Sequence, residues 1–198
     1  MLNFEAVTFV RSAAEPAGFL RDGLPEIAFA GRSNVGKSSV INCLTRNGGL
    51  SRVSATPGKT AHINYFAIPE NKRPAAYLVD LPGYGFARVS GAEKERWAEL
   101  MEAYFAKNAA LKLVVQLIDA RHEPSQDDLD MLDFTRGRYP VLILANKVDK
   151  WKPSERGAAM EMLRGALGTG GFLAFSAKTG EGRDSLRMAL QNAVRAGA

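Results

Sequence analysis

The chain has 198 residues, of which 46% are hydrophobic, and its formal net charge at pH 7 is +5. This length suits one α/β domain with a substantial core, and the basic balance is compatible with a polyanionic partner such as RNA. The single cysteine, Cys43, excludes an intramolecular disulfide framework, and its apolar surroundings predict a small packed residue.

Neither the N-terminal segment nor the apolar runs indicate a membrane protein. No basic stretch precedes an apolar one at the N-terminus, so no secretory signal is visible. The longest apolar runs are too short to span a bilayer. We therefore expect a cytoplasmic protein without a membrane partner.

Apolar runs of strand length alternate with helical patterns along the chain. The predicted strands cover residues 27–30, 63–68, 76–80, 113–118, 141–145 and 172–175, and residues 4–10 are a candidate edge strand. Short apolar runs separated by helices are typical of a mainly parallel, doubly wound α/β sheet with helices on both faces. We expect one domain over residues 1–198, with residues 1–24 as a short N-terminal lead.

Apolar residues recur at helical spacing in two segments. One stripe consists of Trp97, Leu100, Met101, Tyr104 and Phe105, and the other of Leu186, Ala189, Leu190, Ala193 and Val194. Such residues share one side of a helix, so both stripes are predicted to pack on the sheet. The acidic stretch at 123–133, which includes Asp127, Asp128 and Asp130, is predicted to be a solvated helix face.

The segment at residues 31–38 reads G-x-x-x-x-G-K-S and lies between a predicted strand and a predicted helix. This is the pattern of a phosphate-binding loop. Gly31 and Gly36 let successive backbone N–H groups point at phosphate oxygens, and the start of the helix adds the positive end of its dipole. Lys37 would neutralise β- and γ-phosphate charge, and the Ser38 hydroxyl would bind Mg²⁺.

The next motif, D-x-x-G, ends a buried strand with Asp80 and Gly83. Ligands of open α/β sheets bind at the carboxyl ends of strands, which is where Asp80 would lie. Asp80 can hold Mg²⁺ through a water molecule, and the Gly83 N–H can contact the γ-phosphate. Behind a phosphate loop, this motif indicates a nucleoside triphosphate site.

Two further strands are followed by N-K-x-D, from Asn146 to Asp149, and by S-A-K, which contains Ala177. Guanine presents N1–H and N2–H₂ side by side, and the carboxylate of Asp149 can accept both. Adenine lacks this donor pair, which argues against an ATP-using kinase or ATPase. Asn146 can tie this loop to the phosphate loop, the Lys147 stem can cover the base, and the Ala177 N–H can donate to guanine O6.

A long loop at residues 46–60 contains the sequence A-T-P-G-K-T. A hydroxyl here would complete the Mg²⁺ shell only when the γ-phosphate is present, so the loop would order with GTP and loosen with GDP. Thr56 and Thr60 both offer that hydroxyl, and the chemistry alone does not choose between them.

Together these segments resemble those of EngB (YihA/YsxC-type) bacterial GTP-binding proteins, in the Era-like group of translation-factor-related P-loop GTPases. The resemblance covers nearly the whole chain. It is carried by GRSNVGKSS at 31–39, ATPGKT at 55–60, DLPGYGFA at 80–87, NKVD at 146–149 and FSAK at 175–178. It implies a single GTPase domain that hydrolyses GTP to GDP and phosphate, acts in large ribosomal subunit assembly, and is required for normal cell division and septation.

The resemblance also implies the roles of individual residues, and it selects Thr60 as the magnesium-binding threonine. Lys37, Thr60 and Gly83 would be catalytic, and Ser38, Thr60 and, through water, Asp80 would hold Mg²⁺. The expected contacts with GTP or GDP are Gly31, Arg32, Ser33, Asn34, Val35, Gly36, Lys37, Ser38, Ser39, Gly58, Lys59, Thr60, Asp80, Leu81, Pro82, Gly83, Asn146, Lys147, Asp149, Phe175, Ser176 and Ala177.

Two residues bear on the rate of hydrolysis. Many GTPases place a glutamine after D-x-x-G to orient the attacking water, whereas this chain has Tyr84, so we expect slow intrinsic hydrolysis. In related potassium-activated GTPases, an asparagine at the position of Asn34 helps to hold K⁺ beside the phosphates. K⁺ near Asn34 is therefore a hypothesis, and the alternative is a loop-stabilising hydrogen bond from this side chain.

Two functions remain in competition. In the first, GTP favours a conformation that binds the large ribosomal subunit or its precursor, with ribosomal RNA and proteins as partners, and hydrolysis releases it. In the second, the chain is a regulatory switch that acts through protein effectors of the division machinery. In either case we expect a monomer.

Overall fold

The computed structural model describes residues 1–51, 62–85, 90–168 and 171–196. Its strands are β1 (Thr8–Ala13), β2 (Glu26–Gly31), β3 (Ile63–Glu70), β4 (Arg73–Asp80), β5 (Leu111–Asp119), β6 (Val141–Asn146) and β7 (Gly171–Phe175). Its helices are α1 (Lys37–Thr45), α2 (Gly91–Phe105), α3 (Gln126–Thr135), α4 (Arg156–Leu167) and α5 (Arg183–Ala196). Short 3₁₀ turns occur at Phe4–Ala6, Pro16–Gly18 and Val148–Lys150.

The strands form one sheet in the order β1-β3-β4-β2-β5-β6-β7. From β4 through β2 and β5 to β7 the neighbours are parallel. β3 is antiparallel to both of its neighbours, β1 and β4. A two-residue turn at Asn71 and Lys72, with φ of 51° and 65°, reverses the chain directly from β3 into β4. The predicted mainly parallel sheet is confirmed, with an antiparallel edge.

Helices cover both faces of this sheet. Along the central strand β2, Ile27 and Phe29 pack with α1 and α5, whereas Ala28 and Ala30 point to the opposite face and pack with α2. On that second face, α3 and α4 continue the layer over β5 and β6. The doubly wound α/β fold is therefore confirmed.

Both predicted helical stripes lie in helices and face the sheet. Leu100, Met101, Tyr104 and Phe105 of α2 are buried, and so are Leu186, Leu190 and Val194 of α5. Trp97 is half-buried at the rim of the α2 stripe.

The edge strand begins later than predicted. Residues 4–6 form a 3₁₀ turn, in which the Asn3 side chain accepts a hydrogen bond of 3.1 Å from the backbone N–H of Glu5, and β1 starts only at Thr8. Phe4 is buried in the core cluster that contains α1 and α5. Its apolar character therefore reflects core packing and not strand pairing.

The prediction of a fully solvated acidic helix face is wrong at Asp128. Asp127 and Asp130 are exposed on α3, but Asp128 is buried. Its carboxylate closes a capping box, because Oδ2 accepts hydrogen bonds from the backbone N–H (3.0 Å) and the hydroxyl (2.8 Å) of Ser125.

The carboxyl ends of β2, β4, β6 and β7 lie at one edge of the sheet, because these strands run in the same direction. This edge carries every predicted motif that the described residues include. Within the described ranges, none of the helices combines the length and the apolar character needed to cross a lipid bilayer.

Candidate functional site

The loop between β2 and α1 is shaped for an anion. Asn34 and Gly36 have left-handed backbone conformations, with φ of 63° and 100°. A Cβ atom at residue 36 would lie 2.6 Å from Asn146 Nδ2, so both the conformation and the space require glycine there. α2 and α3 begin with serine capping boxes, whereas no side chain caps the N-terminus of α1. Its first N–H groups are therefore available to phosphate oxygens.

A buried ion pair lies directly below this loop. The Lys37 ammonium donates to Asp80 Oδ1, and the Ser51 hydroxyl lies 3.4 Å from Asp80 Oδ2. Asp80 is only 5% exposed at the end of β4. Ser38 follows Lys37 in the first turn of α1. A carboxylate and a hydroxyl are oxygen ligands that suit Mg²⁺, so the residues present fit the metal that the sequence predicts.

The D-x-x-G segment is fastened to the phosphate loop. The backbone N–H of Ser33 donates to the Tyr84 carbonyl at 3.0 Å, and the Tyr84 N–H donates to the Gly31 carbonyl at 3.4 Å. A Cβ atom at residue 83 would stand 3.1 Å from the Ser33 nitrogen, so this approach needs Gly83. The Leu81 side chain is fully buried in the core, which leaves only its backbone for a ligand.

The N-K-x-D loop is joined to the phosphate loop by two hydrogen bonds. Asn146 Nδ2 donates to the Val35 carbonyl at 3.0 Å, and Lys147 Nζ donates to the Asn34 carbonyl at 3.1 Å. Asn146 is 1% exposed, and no hydrogen-bond partner among the described residues reaches its Oδ1 atom. The tie from Asn146 to the phosphate loop is the contact that the sequence predicted.

The S-A-K segment orients the carboxylate of Asp149. The Ser176 hydroxyl donates to Asp149 Oδ1 at 2.7 Å and accepts from the Thr179 N–H at 3.2 Å. Ser176 is fully buried, so this hydroxyl holds one carboxylate oxygen in place. The Phe175 side chain is also fully buried in the core, whereas Ala177 is half-buried.

A groove of about 430 Å³ opens between α1 and the segment that follows β7. It is lined by Ser39, Asn42, Cys43, Arg46, Gly48, Ala177, Lys178, Thr179, Gly180 and Arg183. Three of these residues are cationic and none is acidic. The groove therefore runs along α1 beside the S-A-K segment, and its charged side chains are all basic.

The sequence interpretation missed Asp119, at the end of β5. Its carboxylate accepts hydrogen bonds from Lys147 Nζ at 2.8 Å and from Arg121 at 2.7 Å. Burial acts to raise the pKa of Asp119, but the hydrogen bonds from Arg121 and Lys147 outweigh it and hold that pKa well below the usual carboxyl range. The signal was available, because Asp119 ends a buried strand just as Asp80 does.

Some of the remaining predicted site residues lie within the described part of the chain, and others lie outside it. Arg32 forms a parallel bridge with Tyr84, and the Pro82 carbonyl accepts a hydrogen bond of 3.4 Å from the Trp97 indole. Gly58, Lys59, Thr60 and the alternative threonine, Thr56, lie outside the described residues. The structure thus gathers the phosphate-loop, D-x-x-G, N-K-x-D and S-A-K residues at one edge of the sheet.

Comparisons with known proteins agree with this arrangement. A family model described as "50S ribosome-binding GTPase" matches residues 26–147. A probable GTP-binding protein EngB from Anaeromyxobacter sp. (strain Fw109-5) is 46% identical over 187 residues, covering 90% of this chain and 86% of that protein. The EngB protein of Geobacillus kaustophilus (strain HTA426) is 42% identical over 194 residues, covering 96% of this chain and 97% of that protein.

A solved structure supports the fold. The crystal structure of a probable GTP-binding protein EngB aligns with a TM-score of 0.63 and 23% identity, covering 86% of this chain and 98% of that chain. The family model spans more than half of the chain, and the curated relatives align over nearly all of it. The chain therefore belongs to the EngB family of GTP-binding proteins and is a GTP hydrolase.

Proposed function

We propose that this chain is a guanine-nucleotide-dependent switch that binds the large ribosomal subunit, or its precursor, during assembly. The observation that carries the proposal is the match of residues 26–147 to a family described as ribosome-binding. The net charge of +5 supports a polyanionic partner such as ribosomal RNA. In this proposal residues 1–198 form one GTPase domain, which acts in the cytoplasm as a monomer, and normal division and septation depend on it.

The triphosphate would lie over the N-terminus of α1. Lys37 now pairs with Asp80, and a bound triphosphate offers the ammonium a stronger, multiply charged partner. Lys37 would move to the β- and γ-phosphates and leave Asp80 free to accept from a metal-bound water. The Gly83 N–H, held close to Ser33, would donate to the γ-phosphate. The uncapped start of α1 and the Ser39 N–H would meet the remaining phosphate oxygens.

The base would be read by the N-K-x-D and S-A-K segments. Asp149, with one oxygen oriented by Ser176, would accept from guanine N1–H and N2–H₂. The Lys147 stem would cover one face of the base, and the Ala177 N–H would donate to O6. Asn146 would keep the base-reading loop in register with the phosphate loop through its bond to Val35.

Mg²⁺, when bound, would offset the charge of the β- and γ-phosphates. Ser38 and, through water, Asp80 fit this role because they lie beside Lys37 at the phosphate loop. Thr60, which lies outside the described residues, would be a further magnesium ligand.

Intrinsic hydrolysis would be slow because Tyr84 stands where a water-orienting glutamine would be needed. Tyr84 is 6% exposed, and its hydroxyl donates to Asp128 at 3.0 Å. A glutamine amide exposed to the γ-phosphate would be needed for that task.

We also propose that K⁺ accelerates the reaction beside Asn34. This residue is exposed in the phosphate loop, with φ of 63°, so its side chain is accessible to an ion. Single-turnover hydrolysis should be faster in KCl than in NaCl at equal ionic strength, and Asn34→Ala should abolish the difference. Equal wild-type rates in the two salts would refute this part of the proposal.

The ribosome proposal is tested by co-sedimentation with mature and precursor large subunits. We expect binding with a non-hydrolysable GTP analogue and little binding with GDP or without nucleotide. Asp149→Asn is the matched control, because it should bind the subunit with a xanthosine triphosphate analogue and not with the guanosine one. A wild-type protein that binds neither particle in any nucleotide state would contradict the proposal and favour effectors in the division machinery.

A further inference from the structure

Tyr84 follows D-x-x-G directly, yet its side chain belongs to a buried polar network. The hydroxyl donates to Asp128 Oδ1 at 3.0 Å and accepts from Gln116 Nε2 at 3.2 Å. Gln116, on β5, is fully buried, and Tyr84 and Asp128 are 6% and 4% exposed. A hydrogen-bonded carboxylate and hydroxyl at this depth are costly to separate, because each would lose its partner away from water.

The partners of Tyr84 are themselves fixed. The second carboxylate oxygen of Asp128 accepts the two hydrogen bonds from Ser125 that begin α3. Gln116 Nε2 also donates to the Asp128 carbonyl at 2.7 Å, which joins α3 to the central sheet. The Tyr84 hydroxyl is therefore attached both to a helix start and to a strand.

The backbone of Tyr84 transmits this anchoring to the phosphate loop. Its carbonyl and N–H bond to Ser33 and Gly31, at 3.0 Å and 3.4 Å. The preceding residue, Gly83, packs so closely that an added Cβ would reach within 3.1 Å of the Ser33 nitrogen. The position of the Gly83 N–H thus depends on where the Tyr84 ring is held.

We propose that Tyr84 is a positioning residue, which acts through its hydroxyl bonds to Asp128 and Gln116 to place the Gly83 N–H for the γ-phosphate. The inference rests on the proposed phosphate site. Only GTP carries a γ-phosphate, so the network should matter for GTP binding and hydrolysis and not for GDP binding. It also assigns this tyrosine a function different from that of a water-orienting glutamine.

The test compares Tyr84→Phe with wild type in two assays. Affinities for GDP and for a non-hydrolysable GTP analogue are measured by competition with a fluorescent GDP, and hydrolysis is followed in single turnover. We expect the analogue to bind about tenfold more weakly and hydrolysis to fall by about tenfold, as for loss of one hydrogen bond to a charged group. The GDP affinity should change by less than about twofold.

Tyr77→Phe is the matched control. The Tyr77 hydroxyl donates to Asp22 Oδ2 at 2.6 Å, and the residue is 5% exposed on β4, where it pairs with Glu26 at the start of β2. This variant also loses one tyrosine–aspartate bond. Its ratio of GTP-analogue to GDP affinity should stay at the wild-type value.

A second variant tests the coupling within the network. Asp128→Asn weakens the acceptor of the Tyr84 hydroxyl, so Tyr84→Phe should change the affinity ratio less in that background than in wild type. Additive effects would overturn the proposal. An unchanged affinity ratio in Tyr84→Phe, with only a lower melting temperature, would also overturn it. Wild-type protein that binds neither nucleotide would refute the proposed site instead.

Discussion

The two ends of the sheet both bury carboxylates, but they provide different partners for them. At the carboxyl end, Asp80 contacts the ammonium of Lys37, and Asp119 accepts from Lys147 at 2.8 Å. At the amino end, Glu26 accepts from the Tyr104 hydroxyl at 2.8 Å and from an asparagine amide, that of Asn108, at 3.0 Å.

The difference in partners changes the protonation behaviour. Burial raises the pKa of Glu26, and the neutral donors Asn108 and Tyr104 only partly oppose this effect. The pKa of Asp119 is held low despite burial, because Arg121 and Lys147 donate to it. Cationic partners thus favour the charged form of Asp119 at the carboxyl end, whereas burial among neutral partners makes Glu26 at the amino end harder to ionise than a free carboxyl.

The largest expected effect comes from removing the cation at the carboxyl end. Lys37→Ala should lower GTP hydrolysis about 1,000-fold, because it removes preorganised positive charge from the phosphates. It also leaves Asp80 buried without its cation, so the rate is normalised to the folded protein. Lys152→Ala is the control, since Lys152 is exposed and, among the residues that the structure describes, pairs with Glu155 alone, at 3.2 Å. Activity within about tenfold of wild type would refute the role of Lys37.

The next effect concerns the base. Asp149→Asn should weaken GDP binding about 100-fold and create binding of xanthosine diphosphate, because the amide reverses one donor–acceptor pair. Calorimetric titration of both nucleotides measures the exchange. Asp130→Asn, on the exposed face of α3, removes a carboxylate elsewhere and should leave both affinities unchanged. An unaltered preference for guanine in Asp149→Asn would show that another group reads the base.

The smallest effect is expected at the amino end. The folded pKa of Glu26 lies above its reference value of 4.5, so the stability it contributes is complete below that pH and is lost as pH rises through the folded pKa. The glutamine in Glu26→Gln does not titrate, so the difference in stability between the two proteins should move in favour of the variant as pH rises from about 4 to about 8.

Denaturant unfolding across this pH range measures the difference. Glu95→Gln, at an exposed position on α2, controls for the loss of one carboxylate. A Glu26→Gln advantage that shrinks with rising pH would contradict the assigned protonation.

Much of the fold could be predicted because strand length and helical spacing are local signals. The six internal strand segments lie within β2 to β7, and the motifs end the strands at which they were placed. The edge strand begins at Thr8 and not at residue 4, because the apolar side chain of Phe4 packs in the core with α1 and α5 and does not mark a strand. Periodicity cannot separate these two reasons for an apolar residue.

The contacts within the site could be predicted less well, because they join distant segments. The hydrogen bond from Asn146 to the phosphate loop could be predicted, because the N-K-x-D motif is expected to contact that loop. The burial of Asp128 and of the Tyr84 side chain could not be predicted, since each depends on a partner 44 residues away in the sequence. An acidic helix residue is usually solvated, and only the tertiary partner reverses that expectation.

A crystal structure of this chain with Mg²⁺ and a non-hydrolysable GTP analogue would test the location of the nucleotide site most directly. We expect Lys37 to leave Asp80 for the β- and γ-phosphates, Asp149 to accept from guanine, and the Tyr84 hydroxyl to stay bonded to Asp128. A nucleotide bound elsewhere, with Lys37 still paired to Asp80, would contradict the claim that the charged end of the sheet is the GTP site.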